Sequence, residues 1–71
     1  SNIYPNPVKD ILNVEAENID LVELYDIYGR KLYSEEKSDN VRIDMNSFSS
    51  GVYFVKIYSE GKSSVEKIMK K

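Results

Sequence analysis

The stretch 52-VYFVKIYS-59 decides the fold, because it is the strongest strand pattern in the chain. β-Branched and aromatic residues dominate it, and its near-continuous apolarity is typical of a central strand with both faces covered. Glu60 and Gly61 follow, and they suit the two-residue turn that joins the strands of a β-hairpin. The chain then returns as 62-KSSVEKIMKK-71, which we predict to be the last strand.

This last predicted strand is ambiguous in two respects. Val65 and Met69 share one face and Ile68 lies on the other, so we expect a bulge near Lys67. Lysines also crowd the last ten residues. They either protect an edge strand from aggregation or form a charged recognition signal: Lys62, Lys67, Lys70 and Lys71.

In the rest of the chain, the dominant spacing of apolar residues is two positions, which is typical of strands and not of helices. Alternating apolar residues predict strands at 11-ILNVEA-16 and 41-VRIDM-45. Segment 19-IDLVELYDI-27 is predicted to be a strand because it is rich in β-branched and aromatic residues, and 31-KLYSE-35 is predicted to form a hairpin with it. The polar segment 35-EEKSDN-40 is predicted to be a loop, and Phe48 is expected to plug one end of the molecule. The sequence therefore predicts an all-β fold in a single domain covering residues 1–71, an antiparallel β-sandwich of roughly six to seven short strands.

Composition excludes several classes of function. A chain of 71 residues forms one small domain with a modest core and no room for a deep catalytic cleft. Cys and His are both absent, which excludes a disulfide framework, thiolate or histidine catalysis, and zinc sites built from these residues. The acidic residues are scattered, so we predict no enzyme activity and no cofactor. A net charge of −2 disfavours a nucleic-acid partner, and the short apolar runs exclude a membrane span.

Metal binding and base stacking are also disfavoured by the positions of the relevant side chains. The Asp and Asn residues between positions 39 and 46 are explained better as turn formers than as calcium ligands, so no metal site is predicted. Tyr53, Phe54 and Tyr58 fall on the predicted central strand. We therefore interpret these rings as core packing and not as a stacking surface for nucleic-acid bases.

Two glycines mark the turns around the predicted strands. Gly29 can supply the positive φ of a turn, and Asp26 can accept hydrogen bonds from the backbone N–H groups of that turn. Arg30 begins the return strand, where an ion pair with Asp26 would contribute little if it were exposed. Gly51 frees the backbone to enter the central strand, and the ring of Tyr53 is placed to cover the end of the sandwich.

Two prolines stiffen the beginning of the chain. Pro5 and Pro7 each fix φ near −65° and remove a backbone donor. We therefore expect Tyr4 and Asn6 to be extended or in a turn, and the first regular strand to begin only after Pro7. The stretch Tyr4–Pro7 is predicted to be a boundary with an upstream linker. The chain lacks an initiator Met, which indicates a piece of a longer protein, and Ser1–Asn2 is consistent with the remnant of an expression tag.

Four segments, taken in order, carry a family resemblance: 4-YPNPVKDILNV-14, 22-VELYDIYGRKLY-33, 51-GVYFVKIYSEGK-62 and the lysine-rich end. Together they resemble the C-terminal sorting domain, type A, of proteins exported by the type IX secretion system (Por secretion system). Each motif alone is weak, but the four together in this spacing are specific. The departure from the pattern is Ser49-Ser50 before Gly51, where Pro or Ala is also common.

The resemblance implies an immunoglobulin-like sandwich that acts as an address and not as a catalyst. Such a domain directs its parent protein from the periplasm of a Gram-negative bacterium to the cell surface or the medium. The partners implied are an outer-membrane translocon with its shuttle proteins, and a sortase-like cysteine peptidase that removes the domain at the surface. That peptidase can join the cargo to an anionic lipopolysaccharide.

Residues that match the family's motifs are candidates for recognition by the secretion machinery. They are Gly51 and Tyr53 of its Gly-x-Tyr motif, Gly29 and Arg30 of its Gly-Arg turn, and Lys67, Lys70 and Lys71 of its basic C-terminal strand. The three lysines are expected to make direct contact, because an exposed edge strand can be captured by strand addition. Pro5, Asn6 and Pro7 are expected to mark the boundary with the cargo's linker.

Two other functions stay open at this point. An accessory β-sandwich module that binds carbohydrate or protein would present an exposed aromatic strip on one sheet. A purely structural spacer would tolerate substitution of the terminal lysines.

Overall fold

The computed structural model describes residues 2–71, which form strands and turns but no helix that could cross a membrane. The strands are β1 (Asn2–Tyr4), β2 (Ile11–Tyr25), β3 (Lys31–Asp44), β4 (Gly51–Ser59) and β5 (Lys62–Lys70). Each pairs antiparallel with its neighbours in one sheet. The prediction of an all-β antiparallel fold is therefore confirmed.

Strand β2 is the centre of this sheet, because neighbouring strands use both of its edges. One edge pairs with β3 from Ile11 to Tyr25. The other edge is shared, since β1 pairs with Asn13–Glu15 and β4 pairs with Ile19–Tyr25. Strand β5 then extends the sheet beyond β4.

The sheet bends where β2 passes from one partner to the other. The register with β3 shifts between Glu15 and Ile19, and Asn18 and Lys37 adopt positive φ angles of 53° and 48° at this point. The hydroxyl of Ser59 donates to the carbonyl oxygens of Glu17 (2.8 Å) and Asn18 (3.1 Å), which ties the bend to β4. A bend here turns the two ends of β2 toward the same interior.

A single apolar core fills this interior, and both halves of β2 contribute to it. Leu12 and Val14 come from the first half, and Val22 and Leu24 from the second, all fully buried. Phe48 packs against this core, as predicted. The other buried apolar residues are Val8, Ile19, Val41, Ile43, Met45, Tyr53, Val55, Ile57 and Ile68.

The predicted count of six to seven strands is not confirmed, because two pairs of predicted strands are continuous. Segments 11–16 and 19–27 form the single strand β2, which ends at Tyr25, and the supposed loop 35–40 is part of β3. Polarity suggested a loop, but β3 is an edge strand, since among residues 2–71 it pairs only with β2. Polar side chains are compatible with such a position, since solvent covers one side of an edge strand.

Two further predictions about the ends of the chain are wrong. Strand β1 ends at Tyr4, before Pro5, so a strand does form ahead of Pro7. Because neither proline lies in this strand, their lack of a backbone N–H costs it no hydrogen bond. The ladder between β4 and β5 has no register shift from the Gly51–Lys70 pair at one end to the Ser59–Lys62 pair at the other, so there is no bulge near Lys67. The mixed pattern arises because Val65 and Met69 face outward.

The interpretation of Ser1 and Asn2 as a tag remnant is only partly covered by the structure. Ser1 lies outside the described residues. Asn2 pairs with Glu15 in β1, and the hydroxyl of Tyr4 donates to the carboxylate of Glu15 across the same ladder at 2.6 Å. The first described residues are therefore integrated into the sheet.

The N-terminal segment 6–8 closes the sheet against its last strand, and we call this segment the clasp. The N–H of Val8 donates to the carbonyl of Met69, and the N–H of Lys71 donates to the carbonyl of Val8, both at 2.8 Å. The side chain of Asn6 donates to the carbonyl of Lys67 (3.3 Å) and accepts from the N–H of Met69 (3.0 Å). Both Tyr4–Pro5 and Asn6–Pro7 are cis.

Replacing Ile68, the fully buried side chain of β5, tests whether the last strand belongs to the core. We expect Ile68→Ala to lower the free energy of unfolding by about 2–5 kcal/mol, because it removes buried methyl groups and leaves a cavity. Urea denaturation measures this. Val65→Ala is the matched control, since Val65 is 60% exposed in the same strand, and it should change stability by less than about 0.5 kcal/mol. Equal effects of the two changes would contradict a buried role for β5.

Candidate recognition site

The motif residues from three parts of the chain meet at one end of the fold. The register places Tyr25 beside Phe54, so the turn that follows β2 lies next to the start of β4. Gly51 in turn pairs with Lys70, which brings the end of β5 to the same place. We call this the motif end, formed by the turn 26–30, the loop 45–50, the clasp and residues 67–71.

The turn at the motif end is organised by Asp26, as predicted. One carboxylate oxygen accepts hydrogen bonds from the backbone N–H groups of Tyr28 and Arg30, both at 2.9 Å. The other oxygen accepts from Nε of Arg30 at 2.7 Å. Gly29 follows with φ of 80°, a left-handed conformation that glycine adopts without steric cost.

The electrostatics of this turn favour the ionised carboxylate. Burial acts to raise the pKa of Asp26, which is only 9% exposed. The opposing hydrogen bonds from the backbone and guanidinium of Arg30 and the backbone of Tyr28 outweigh burial and lower the pKa of Asp26 below its ordinary value. Because 72% of the Arg30 side chain is exposed, this ion pair fixes the turn more than it stabilises the fold.

Sequence reasoning missed the two most exposed large apolar side chains of the motif end. Ile27 and Tyr28 are 60% and 76% exposed, although the pattern placed Ile27 inside a strand. Asp26 ends the strand first because its carboxylate captures the N–H groups of the turn. The guanidinium carbon of Arg30 lies 5.4 Å from the centroid of the Tyr28 ring. Cation and ring therefore form one exposed unit at the tip.

Tyr53 has a structural role in holding the loop 45–50. Its side chain is 6% exposed, and its hydroxyl donates to the carbonyl of Ser49 at 2.6 Å. Its ring packs against Phe48, with centroids 5.9 Å apart. Gly51 enters β4 with φ of 147°, which strains any other residue, although the space around it is open. Both motif residues thus shape the loop from within.

A shallow groove separates the turn 26–30 from this loop and brings two of the motifs together. Arg30 lines it on one side, and Gly51 and Tyr53 line it on the other. Gly29 lies in the turn beside it without lining the groove. The Gly-Arg turn and the Gly-x-Tyr motif therefore meet across a single concave surface.

The three candidate lysines do not share one face. Lys67 pairs with outward-facing Phe54, whereas Lys70 follows buried Ile68 by two positions and lies on the opposite face of β5. Lys71 lies just beyond the strand, and its N–H is bound by the clasp. The structure gathers these cations at one end without forming a continuous basic patch.

The sequence also did not reveal that the clasp binds the last strand. Sequence reasoning treated Asn6 as part of a stiff boundary, but its amide bridges the backbone of Lys67 and Met69. A polar residue between Pro5 and Pro7 is a signal that could have indicated this, since both neighbours lack an N–H to pair with. The boundary of the domain is therefore attached to its last strand.

A second feature that the sequence did not reveal is a polar network on the outer face of the sheet. The carboxylate of Glu23, only 7% exposed, accepts hydrogen bonds from the hydroxyl of Tyr25 (2.9 Å) and from Lys31 (3.3 Å). The Tyr25 hydroxyl is the main cause that lowers the pKa of Glu23. Lys56 lies 5.0 Å from the Tyr58 ring centroid on the same face. The Glu23 carboxylate has a partner on each side, so the network is suited to fixing these side chains.

The outer face also changes the interpretation of the aromatic residues. Tyr53 is buried as predicted, but Phe54 and Tyr58 alternate with it and lie half-buried on the outer face. Within residues 2–71, no group of three or more acidic, His or Cys side chains is placed to hold a metal ion.

These features define a small antiparallel β-domain whose sequence motifs converge at one end of the fold. The family model of the secretion system C-terminal sorting domain matches residues 2–71, and the chain belongs to this family. A comparison with curated proteins finds no match. The domain is therefore a C-terminal sorting signal of the type IX secretion system, a family not known for enzymes, and its parent protein is exported to the bacterial cell surface or the extracellular space.

The lowered pKa of Asp26 predicts acid sensitivity. The contribution of its carboxylate to stability is complete above its ordinary pKa of 3.8 and is lost as the pH falls through the lower folded-state value. Asp26→Asn should lower the urea midpoint at pH 7 and reduce its decline on acidification. The control is Asp20→Asn, the same change at an exposed position, which should leave both near wild type. An unchanged acid profile in Asp26→Asn would contradict this role.

The buried hydroxyl of Tyr53 permits a test of whether its motif is read directly or is structural. Tyr53→Phe keeps the ring and removes the hydrogen bond to Ser49, so we expect a loss of about 0.5–1.5 kcal/mol in stability. Secretion of a fused cargo should persist at near the wild-type level, because the side chain is covered. Loss of secretion by a variant that stays folded in circular dichroism would instead indicate direct recognition of the hydroxyl.

Proposed function

We propose that the domain directs its parent cargo from the periplasm of a Gram-negative bacterium across the outer membrane. The proposed partners are the type IX outer-membrane translocon and its shuttle proteins. A sortase-like cysteine peptidase then removes the domain at the cell surface, upstream of the folded sheet. The observation that carries this proposal is the family match over residues 2–71.

The motif end is the surface that we assign to the secretion machinery. It combines the exposed Tyr28 and Arg30 with the cations Lys67, Lys70 and Lys71. Gly29, Gly51 and Tyr53 serve it indirectly, since they fix the turn and the loop that carry the exposed side chains. Charge and an exposed ring suit rapid, specific docking to a partner of opposite charge.

We further infer that the curled sheet is an immunoglobulin-like sandwich. Support comes from the way that the two halves of β2 face one core, with β1 beside the first half and β4 beside the second. Counted by halves, the bent strands β2 and β3 contribute two segments each. That layout resembles two small sheets packed face to face.

A second candidate is an accessory binding module, and one observation favours it. Tyr25, Phe54 and Tyr58 face outward on neighbouring strands, which provides part of the aromatic strip that carbohydrate binding would require. A glycan array with the isolated domain distinguishes the two functions. Specific, saturable binding would support the binding module. An absence of binding would contradict a carbohydrate-binding module and favour the sorting function.

A fusion of residues 1–71 to a periplasmic reporter, expressed in a host with a type IX system, tests the main proposal. The reporter should reach the cell surface, whereas retention in the periplasm would contradict the proposal. In the same assay, Lys67→Glu with Lys71→Glu should reduce surface reporter by about tenfold, because both exposed charges are reversed at the docking surface.

The control for charge is Lys37→Glu, an exposed residue at the bend on the opposite end of the fold. It should leave delivery unchanged. Deletion of residues 67–71 is less informative, because it also removes buried Ile68 and all four backbone groups that the clasp binds. Circular dichroism of each variant confirms that any loss of delivery is not due to unfolding.

A further inference from the structure

The outer edge of β5 is divided into a covered part and a free part. The clasp binds the carbonyl of Lys67, both backbone groups of Met69 and the N–H of Lys71. These residues alternate along the strand, so residues of the same parity direct their backbone groups away from β4. Ser63 and Val65 have this parity, and the clasp does not extend to them.

The free part is poorly protected against strand addition, unlike the other long edge. Strand β3 carries charged residues along its length and is kinked by left-handed Lys37. Both features deter an added strand. By contrast, 63-SSV-65 is uncharged and extended, and it lies in an unbroken ladder with β4.

We propose that residues 63–65 are the strand-addition site of this domain, and that its occupant is an extended segment of a partner protein. The added strand continues the line of the clasp along the same edge of β5. This inference rests on the proposed function, because it identifies where the secretion machinery pairs with the sorting domain. It also moves the site of pairing away from Met69–Lys71, whose edge the clasp already occupies.

The side chains around this edge specify the chemistry of the partner segment. Val65 is 60% exposed on the outer face, beside Lys56 in the register of β4 and two positions from exposed Lys67. A segment with an apolar residue next to Val65 and a carboxylate near the two lysines fits this surface. A second copy of β5 fits poorly, since residues 62–71 contain four lysines and one glutamate and like charges would oppose each other.

A proline at Val65 tests the free backbone donor directly. Val65→Pro removes an N–H that does not pair with β4, and proline is tolerated at such a position of an edge strand. Surface delivery of the reporter fusion should fall by about tenfold, since main-chain hydrogen bonds provide the affinity of strand addition. Val65→Thr is the matched control, because it keeps the N–H and the β-branched shape, and its delivery should remain near wild type.

Two further measurements keep the test decisive. Should Val65→Pro prove unfolded in urea denaturation, Val65→Glu replaces it, since a charge at this exposed position opposes an acidic segment without disturbing the core. Hydrogen exchange of the wild-type domain should show fast amides at Ser63 and Val65 and slow amides at Met69 and Lys71. Slow exchange at Val65 would overturn the division of the edge.

The outcomes separate this inference from the proposed function. Wild-type fusion that stays in the periplasm contradicts the sorting function in this host. Wild-type fusion that is delivered, together with delivery of folded Val65→Pro and Val65→Glu at the same level, leaves the sorting function intact and overturns the strand-addition site.

Discussion

The hydrogen bonds between the clasp and the end of β5 are the constraint on which the rest of the fold depends. Among the strands that the structure describes, β5 has only β4 as a neighbour, yet it carries fully buried Ile68. Val8, also fully buried, reaches it from the other side and binds Met69 and Lys71. Without this closure the curled sheet would leave one side of its core open, and a domain of this size has little burial to lose.

Closure also explains why the motif residues converge although they are far apart in sequence. The clasp, the loop before β4 and the end of β5 must all lie at one end of the sheet for Val8 to reach Met69. The turn after β2 lies there as well, since Tyr25 pairs with Phe54. A partner that docks at this end therefore contacts the beginning, middle and end of the domain at once. The docking surface is complete only when the whole domain is folded.

Sequence periodicity predicted the strands and their antiparallel pairing, because an alternation of period two reports which face is buried. It could not predict that β2 and β3 run through a bend, since continuity there depends on left-handed Asn18 and Lys37 and on hydrogen bonds from Ser59. The carboxylate role of Asp26 was predictable because the contacts are local. The role of Asn6 was not, since its partners lie more than sixty residues away in the chain.

That separation has a consequence for the order of events during synthesis. Asn6 leaves the ribosome early, but its contact with Lys67 cannot form until that residue, 61 positions further along the chain, has been synthesised. Contacts of such long range form slowly and late, because the cost of closing the intervening loop precedes their benefit. A chain that terminates early or loses its tail to a protease never forms the clasp. The closed shape of the domain therefore forms only when its own last strand is present, and a receptor that requires this shape would not bind a domain that lacks β5.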